Sequence, residues 1–156
     1  MKALSATFCL LSLALTTTAR AQLTNILSVG DPLDEGVSFN FVAEYDGVQI
    51  NNANQIAFFA DVTFSDDTFS NRAIYRAEPD GTFTPLALQN QTVFENTTLQ
   101  NFFDHYWPNY GFVFNDLGQA AFTADLLVEE DDNFDWQYSL LVSDDASNIQ
   151  RVAYTG

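Results

Sequence analysis

Apolar and polar residues alternate with a period of two in two separate stretches of the chain. The first stretch reads INNANQIAFFADV at Ile50 to Val62, and the second reads FNDLGQAAFTADL at Phe114 to Leu126. Such alternation is typical of a β-strand that buries one face. The continuous apolar positions are Ile56, Phe58, Ala60 and Val62 in the first stretch and Ala120, Phe122, Ala124 and Leu126 in the second. Each stretch therefore predicts one strand with an apolar face.

A polar turn precedes each predicted strand, and the two turns align at a separation of 64 residues, with Asn51 matching Asn115 and Asn54 matching Gly118. Gly adopts a positive φ without steric cost, and Asn tolerates it better than most other residues. The match therefore predicts a positive φ at both Asn54 and Gly118. We also expect the side chains of Asn51 and Asn115 to bond to the backbone of their own turns.

The similarity of the two stretches extends to their flanks. Upstream lie the apolar runs VSFNFVAEY and YGFVF, and downstream lie RAIYRA and YSLLVS, followed by TFTPLAL and NIQRVAY. Separated by turn signals, these runs predict an all-β chain with two four-stranded antiparallel meander repeats, at about residues 37–90 and 108–156. The acidic stretches SDDTFSN and EEDDNFDWQ are expected to form loops. Pro85 lacks a backbone donor, so its strand is expected at a sheet edge.

The two repeats leave two architectures open. Repeated meanders are typical of the blades of β-propellers, whereas two sheets packed face to face form a sandwich. The run ILSVGD at Ile26 to Asp31 is similar to the last strand of each repeat and is interpreted as a spare strand within residues 22–31. The prediction is one β domain over residues 22–156 that is propeller-blade-like or a two-sheet sandwich.

The first 21 residues have the organisation of a secretory signal peptide. Lys2 precedes the apolar run ALSATFCLLSLAL, and the segment closes on the small-x-small sequence Ala19 to Ala21. The apolar run is shorter than the ~20 residues that a membrane-spanning helix needs, so no membrane span is expected. We predict that residues 1–21 are a signal peptide and that the protein is secreted or located at the cell exterior or in the periplasm.

The charge of the predicted mature protein narrows its classes of partner, and its cysteine content determines whether a disulfide bond can form. The whole chain has a net charge of -16, and removal of Lys2 and Arg20 with the signal peptide changes -16 to -18. Such a charge repels phosphate backbones, so no nucleic-acid partner is expected. Cys9, the one cysteine in the sequence, lies in the predicted signal peptide. The mature protein is therefore expected to fold without a disulfide bond.

The duplicated motif resembles that of a known group of proteins. The matching residues are Asn115, Gly118, Ala121 and Phe122, with Asn54 in place of Gly in the first repeat. This pattern is similar to the tandem NxxGxxAF repeat of exported bacterial surface proteins of the choice-of-anchor type, and VGDPLDEG at Val29 to Gly36 is similar to their Gly-Asp-Pro linker. Members typically carry several repeats and often a C-terminal anchor, whereas this sequence has few repeats and its residues up to Gly156 do not predict an anchor. The resemblance implies an exported protein and no defined activity.

Clusters of acidic residues occur in the predicted loops that follow the central strands. Carboxylate oxygens are ligands that Ca²⁺ prefers, whereas transition-metal sites need clustered His or Cys, which the sequence lacks. The candidate calcium ligands are Asp66 and Asp67 in the first repeat and Glu130, Asp131 and Asp132 in the second. Calcium is thus the one candidate cofactor, and a solvated acidic loop is the alternative interpretation.

The connection FFDHYWPNY at Phe102 to Tyr110 concentrates aromatic residues. Tyr and Trp combine a flat apolar face with a hydrogen-bonding tip, so sugar rings can stack on them. The candidate ligand platform consists of His105, Tyr106, Trp107 and Tyr110. The alternative is a connection that packs against the sheet. This segment makes a glycan or a protein the ligand class to consider.

The sequence contains no recognisable nucleophile system, because His105 is the single histidine and no Gly-x-Ser-x-Gly motif is present. Glycoside hydrolysis needs only a pair of carboxylates, and acidic residues are abundant. The leading hypothesis is an exported, non-catalytic β-repeat protein with a binding or surface-structural role. The alternative is a secreted glycan hydrolase of propeller-like fold that uses a carboxylate pair.

Overall fold

The structure is a computed structural model that describes residues 27–42, 48–65, 70–102, 112–130 and 133–155. All regular structure in these ranges is β, in twelve strands. The strands are β1 (Pro32–Asp34), β2 (Val37–Val42), β3 (Val48–Ile50), β4 (Ile56–Phe64), β5 (Ser70–Ala77), β6 (Phe83–Leu88), β7 (Thr92–Phe94), β8 (Thr97–Asn101), β9 (Val113–Phe114), β10 (Ala120–Glu130), β11 (Asn133–Ser143) and β12 (Ile149–Tyr154). The prediction of an all-β fold is confirmed. Within the same ranges, no helix is long and apolar enough to cross a membrane.

The twelve strands form two antiparallel sheets of six strands each. The order in the first sheet is β1-β2-β4-β5-β6, with β3 paired to the start of β4. The order in the second sheet is β7-β8-β10-β11-β12, with β9 paired to the start of β10. Each strand of the first sheet therefore has its equivalent six strands further along the chain. The prediction of two antiparallel meander repeats is confirmed, and each repeat has two short strands beyond the predicted four.

The second sheet begins at Thr92, upstream of residue 108, where the sequence pattern predicts the start of the second repeat. The reason is that β7 and β8 have the polar sequence TVFENTTLQN, which shows little of the apolar pattern of their equivalents β1 and β2. The run YGFVF instead contributes β9, the equivalent of β3. Because β10 is long, it pairs with β9 at its start and with β8 further along.

Residues 27–31, the described part of the predicted spare strand, form a turn before β1. The backbone N–H of Gly30 donates to Phe39 O at 2.7 Å, which fastens the turn to β2. Asn90 makes the equivalent bond to Leu99 O of β8, also at 2.7 Å. The turn is therefore part of the duplicated unit. The rest of the predicted strand and the predicted signal peptide lie outside the described residues.

Three turns recur in both sheets with the same unusual backbone. Each contains one residue at positive φ, a conformation that Gly adopts freely and Asn tolerates. The predicted positive φ of Asn54 and Gly118 is confirmed, at 60° and 79°. The three pairs are Gly30 and Asn90, Gly36 and Asn96, and Asn54 and Gly118. The backbone geometry of the repeat is thus preserved where the residue identity changes.

The turns before β4 and β10 are closed by the same side-chain bonds. Asn51 Oδ1 accepts hydrogen bonds from the N–H groups of Ala53 and Gln55, both at 3.0 Å. Asn115 Oδ1 accepts the two equivalent bonds at 3.0 and 2.9 Å. The predicted bonds from both Asn side chains are confirmed. The first residue of the motif therefore serves to close the turn.

The two sheets pack on each other through one apolar core. Phe59 of β4 lies between the sheets, with its ring centroid 5.5 Å from that of Phe102 and 5.2 Å from that of Phe112. The first sheet contributes the face that contains Phe59, whereas the second contributes the face that contains Phe122. In the repeat alignment Phe122 matches Phe58 and not Phe59. The sheets therefore pack front to back, as adjacent units of a repeat array do.

Polar side chains join the sheets where the duplicated turns meet. Arg76 Nη1 donates to Gly118 O at 2.8 Å and to Asp144 O at 3.2 Å. Asp116 accepts bonds from the backbone N–H and the side-chain amide of Asn52, at 3.0 and 2.7 Å.

These two bonds to Asn52 hold the pKa of Asp116 below its ordinary value. Because the folded-state pKa is the lower one, their stabilisation is present at neutral pH and is lost as the pH falls through that pKa.

The strand that contains Pro85, β6, is the last strand of the first sheet and pairs with β5. The predicted edge position is confirmed, and it suits a residue that has no N–H to donate. Pro85 O accepts a hydrogen bond from Ala146 N–H, in the loop between β11 and β12, at 2.8 Å. The second sheet thus contacts this edge as well.

A second apolar cluster lies within the first sheet and encloses Tyr75, which is fully buried. The hydroxyl of Tyr75 has no hydrogen-bond partner in the described part of the chain. Burial, and to a smaller extent the charge of Asp34, raise the pKa of Tyr75 to about 12. An enclosed hydroxyl without a partner costs about 1 to 3 kcal/mol of desolvation. This hydroxyl therefore opposes folding.

We expect Tyr75→Phe to raise the free energy of unfolding by about 1 kcal/mol at neutral pH, because it removes the unpaired hydroxyl. The pKa of Tyr75 is higher in the folded than in the unfolded protein, so the wild type loses stability as the pH rises above 10. The advantage of the variant should therefore grow at about pH 11. Urea unfolding at both pH values measures it, and a variant less stable than the wild type at both would contradict this account.

Candidate functional site

The residues that the sequence indicated as sites lie mostly outside the described ranges. The predicted ligand platform of His105, Tyr106, Trp107 and Tyr110 lies outside them entirely, as do Asp66, Asp67, Asp131 and Asp132 of the predicted calcium ligands. Glu130 is described and is exposed at the end of β10, opposite Asn133. Among the described residues, no three His, Cys, Asp or Glu side chains are grouped to hold a metal ion. Both site hypotheses therefore stay predictions.

One face of the second sheet points away from the first sheet and is open to solvent. We call it the outer face: the alternate positions from Ala121 to Glu129 on β10 and from Phe134 to Val142 on β11, with Val152 and Ala153 on β12. The assignment follows from the strand period, because Phe122 and the other residues of the opposite face point into the core. The outer face is the surface of the second sheet that remains for other molecules.

Three aromatic side chains lie in a row on the outer face. Phe134, Trp136 and Tyr138 occupy alternate positions of β11 and are 66%, 56% and 48% exposed. Leu140 continues the row and is 38% exposed. Neighbouring side chains on one side of a strand are roughly 7 Å apart, so the row is roughly 20 Å long. The outer face therefore presents a continuous apolar ridge.

The sequence carried a signal for this row that its acidic residues obscured. The stretch EEDDNFDWQ was predicted to be a loop, but β10 extends to Glu130 and β11 begins at Asn133. In NFDWQYSL, which starts at Asn133, every second residue is large and apolar, which is the period of a strand. The periodicity was therefore a better guide here than the charge.

A cavity of about 300 Å³ opens beside the aromatic row. Its lining includes the outer-face residues Thr123, Asp125, Tyr138, Leu140 and Ala153. Phe102 and Tyr154 also line it, and the predicted ligand platform begins at His105, three residues after Phe102 in the chain. Ser139, another lining residue, has a buried hydroxyl with no hydrogen-bond partner among the described residues. The cavity thus combines aromatic walls with a carboxylate.

The outer face has an equivalent on the first sheet, and that equivalent is buried under the second sheet. Ile74 of β5 and Leu86 of β6 are 0% exposed, whereas their equivalents Leu140 and Val152 are 38% and 60% exposed. The strand pairing skips both Leu86 and Val152, which places matching β-bulges in β6 and β12. One structural position is therefore a sheet contact in the first repeat and a free surface in the second.

Two residue changes between the repeats remove cations from the outer face. Arg72 and Arg76 of β5 are replaced by Tyr138 and Val142 on β11. Exposed surfaces of soluble proteins usually gain charged residues, and an exposed apolar patch marks an interaction site. The second repeat has instead lost two cations from the face that solvent reaches.

A carboxylate is kept at one position of the two faces. Asp61 of β4, with 14% of its side chain exposed, lies 3.7 Å from Arg72 Nε. Burial raises the pKa of Asp61, and the charge of Arg72 lowers it to a smaller extent. The equivalent residue Asp125 lines the cavity and lies opposite Tyr138. The second repeat therefore keeps the carboxylate and has an aromatic side chain where the first repeat has a cation.

Comparison with known proteins identifies a family but no activity. Residues 11–156 match the model described as "Family of unknown function (DUF7453)". No curated protein matches the chain, and no solved structure matches it. Because the family match covers nearly all of the 156 residues, the chain belongs to the DUF7453 family of unknown function.

Proposed function

We propose that this chain is an exported, non-catalytic β-repeat protein that binds an apolar partner surface through the outer face of its second sheet. The observation that carries the proposal is the difference between equivalent positions. Ile74 and Leu86 are sealed by a neighbouring sheet, whereas Leu140 and Val152 are exposed. Export is supported by the predicted signal peptide at residues 1–21.

The composition of the outer face suits contacts with proteins or with the sugar rings of glycans. Trp and Tyr dominate the energetics of interfaces because they bury a large area and retain a polar tip. Burial of apolar surface contributes roughly 25 cal/mol per Å², so coverage of Trp136 and Tyr138 alone would stabilise a complex substantially. The adjoining cavity of about 300 Å³ gives a partner side chain a place to insert. The face therefore has both a ridge and a recess.

The charge of the chain restricts the partner further. A net charge of -16 disfavours anionic partners, whereas neutral and basic ones are accepted. A neutral glycan also stacks on Tyr and Trp, and the predicted platform at His105 to Tyr110 stays a second candidate for that ligand. The alternative of a glycan hydrolase needs two carboxylates that face each other across a sugar. No contact between described residues supports such a pair, and the hydrolase stays a prediction.

Binding of Nile red, a neutral dye that fluoresces in apolar surroundings, tests the proposed face. At a protein concentration of about 0.1 μM, we expect the dye to bind the native wild type, and the double variant Trp136→Ser with Tyr138→Ser to bind at least about tenfold more weakly. Val29→Ser is the matched control, because Val29 is 75% exposed and lies outside the outer face. Its dye binding should equal that of the wild type.

The same titration can overturn the proposal. Absence of dye binding to the native wild type, or equal binding by the double variant, would show that the outer face is not an apolar binding surface. A thermal melt of each variant establishes that the comparison is made between folded proteins.

A further inference from the structure

We propose that the outer face is the interface of a closed homodimer, in which the outer faces of two copies pack on each other as stacked sheets. This inference rests on the proposed function, because it names the partner of the same face. Three observations support it. They are the packing of the two sheets of the chain on each other, the burial of the first-sheet face that contains Phe58, and the area of exposed apolar surface on the outer face.

In the first repeat, the face equivalent to the outer face packs against a sheet. In the first repeat, Ala57 and Ile74 lie in the core between the two sheets. Their equivalents on the outer face are Ala121 and Leu140, which have the same or nearly the same size. A small side chain beside a branched aliphatic one permits the separation of about 10 Å at which sheets stack. The outer face therefore keeps two of the sheet-packing residues of the first repeat, and Thr123 stands where the first repeat has Phe59.

The burial of each sheet face decides which face of a second copy can pack on the outer face. Within the chain, the face that packs on the first sheet contains Phe122. Its equivalent on the first sheet contains Phe58, Ala60 and Val62, which are 5%, 1% and 0% exposed. That face is already buried, so it cannot receive the outer face of another copy. Among the described residues, the outer face itself is the matching apolar sheet surface that is exposed, and contact of a patch with its own copy gives a closed two-fold dimer.

The exposed apolar surface is large enough for such a dimer. The large apolar side chains of the outer face are Phe134, Trp136, Tyr138, Leu140 and Val152. From their exposed fractions they offer roughly 550 Å² per copy, about two thirds of the roughly 800 Å² that each partner contributes to a standard interface. The remaining area falls to the polar rim, as in most interfaces.

The charge of the chain gives the dimer a distinctive salt dependence. Two copies of net charge -16 repel each other, and the outer face includes Asp125 and Glu129 among its apolar residues. Salt screens this repulsion and does not weaken apolar contacts. Association should therefore strengthen as the salt concentration rises, the opposite of what an interface held by ion pairs shows.

Sedimentation velocity of the purified protein at about 1 to 100 μM, in about 50 and 500 mM NaCl, tests the inference. We expect a monomer–dimer equilibrium whose dimer fraction rises with both protein and salt concentration. Leu140→Glu should shift the equilibrium to monomer at every concentration, because it places a new charge in the centre of the interface. Leu117→Glu is the matched control, since Leu117 is 79% exposed and lies in the turn before β10; it should dimerise like the wild type. If Leu140→Glu does not fold, Trp136→Glu replaces it.

The outcomes separate this inference from the function on which it rests. A wild type that stays monomeric in all conditions but still binds Nile red at the outer face overturns the dimer and leaves the binding function standing. A monomer that binds no dye overturns both. Open-ended assemblies larger than a dimer, or a dimer unaffected by Leu140→Glu, would show that the contact is made elsewhere and would also overturn the inference.

Discussion

Replacement of Phe59 by Ala is expected to lower the free energy of unfolding by about 3 to 5 kcal/mol. Phe59 is 1% exposed and packs edge to face against Phe102 and Phe112, which lie directly after β8 and directly before β9 of the second sheet. The substitution removes a buried ring and leaves a cavity where the two sheets meet, so the cost includes both the lost burial and the void. Urea unfolding followed by circular dichroism measures the change.

The duplication of the chain supplies a matched control for this result. Ile74 and Leu140 are equivalent and similar in size, but they are 0% and 38% exposed. We expect Ile74→Ala to cost about 2 to 5 kcal/mol, as usual for a buried aliphatic side chain, and Leu140→Ala to cost less than about 1 kcal/mol in the monomer. Equal losses at the two positions, or a loss below about 1 kcal/mol for Phe59→Ala, would contradict the packing of the two sheets on each other.

Replacement of Arg76 by Met is expected to lower the free energy of unfolding by about 1.5 to 3 kcal/mol. The guanidinium donates to the carbonyls of Gly118 and Asp144 in the second sheet, and its Nε lies 2.5 Å from Glu78 Oε1. The Arg76 side chain is 15% exposed, so water replaces these charge-assisted bonds poorly. Met keeps the apolar part of the side chain and removes the donors, so the loss reports on the bonds between the sheets.

Arg72→Met is the control for this substitution. Arg72 lies on the same strand, has 46% of its side chain exposed and approaches Asp61 at 3.7 Å. Because Arg72 is half exposed and its Nε is too far from Asp61 for a hydrogen bond, the pair should contribute about 0 to 1 kcal/mol, so the control should lose much less stability than Arg76→Met. If Arg72→Met proved as costly as Arg76→Met, the bonds of Arg76 to the second sheet would not be what stabilises the contact.

The residues of the duplicated motif each have a structural role. Asn51 and Asn115 close the turns, and Asn54 and Gly118 supply the positive φ. A Cβ on Gly118 would lie 2.8 Å from Arg76 Nη1, so the close contact between the sheets also favours glycine there. The motif therefore describes how the repeats fold and meet. The resemblance to exported NxxGxxAF proteins stays a prediction that these contacts do not test.

The sequence by itself determined the local structure of the repeats. The all-β class, the two antiparallel meanders, the positive φ at Asn54 and Gly118 and the edge position of Pro85 all follow from neighbouring residues, because strand period, turn chemistry and a missing N–H are local properties. Where the local signal is weak, the prediction failed. The polar strands β7 and β8 lay before the predicted second repeat, and acidic residues hid the start of β11.

Only the tertiary structure decided which apolar face is buried. Both sides of β4 and of β10 carry apolar residues, so the period cannot tell which side receives a neighbouring sheet. Front-to-back packing places Phe59 and Ile74 in the core and leaves Leu140 in solvent, although Ile74 and Leu140 occupy the same position in the repeat. Whether a residue is buried depends on the sheet that packs against it, and the sequence of one strand does not show which sheet that is. The outer face, and with it the proposed function, emerged for that reason only from the folded chain.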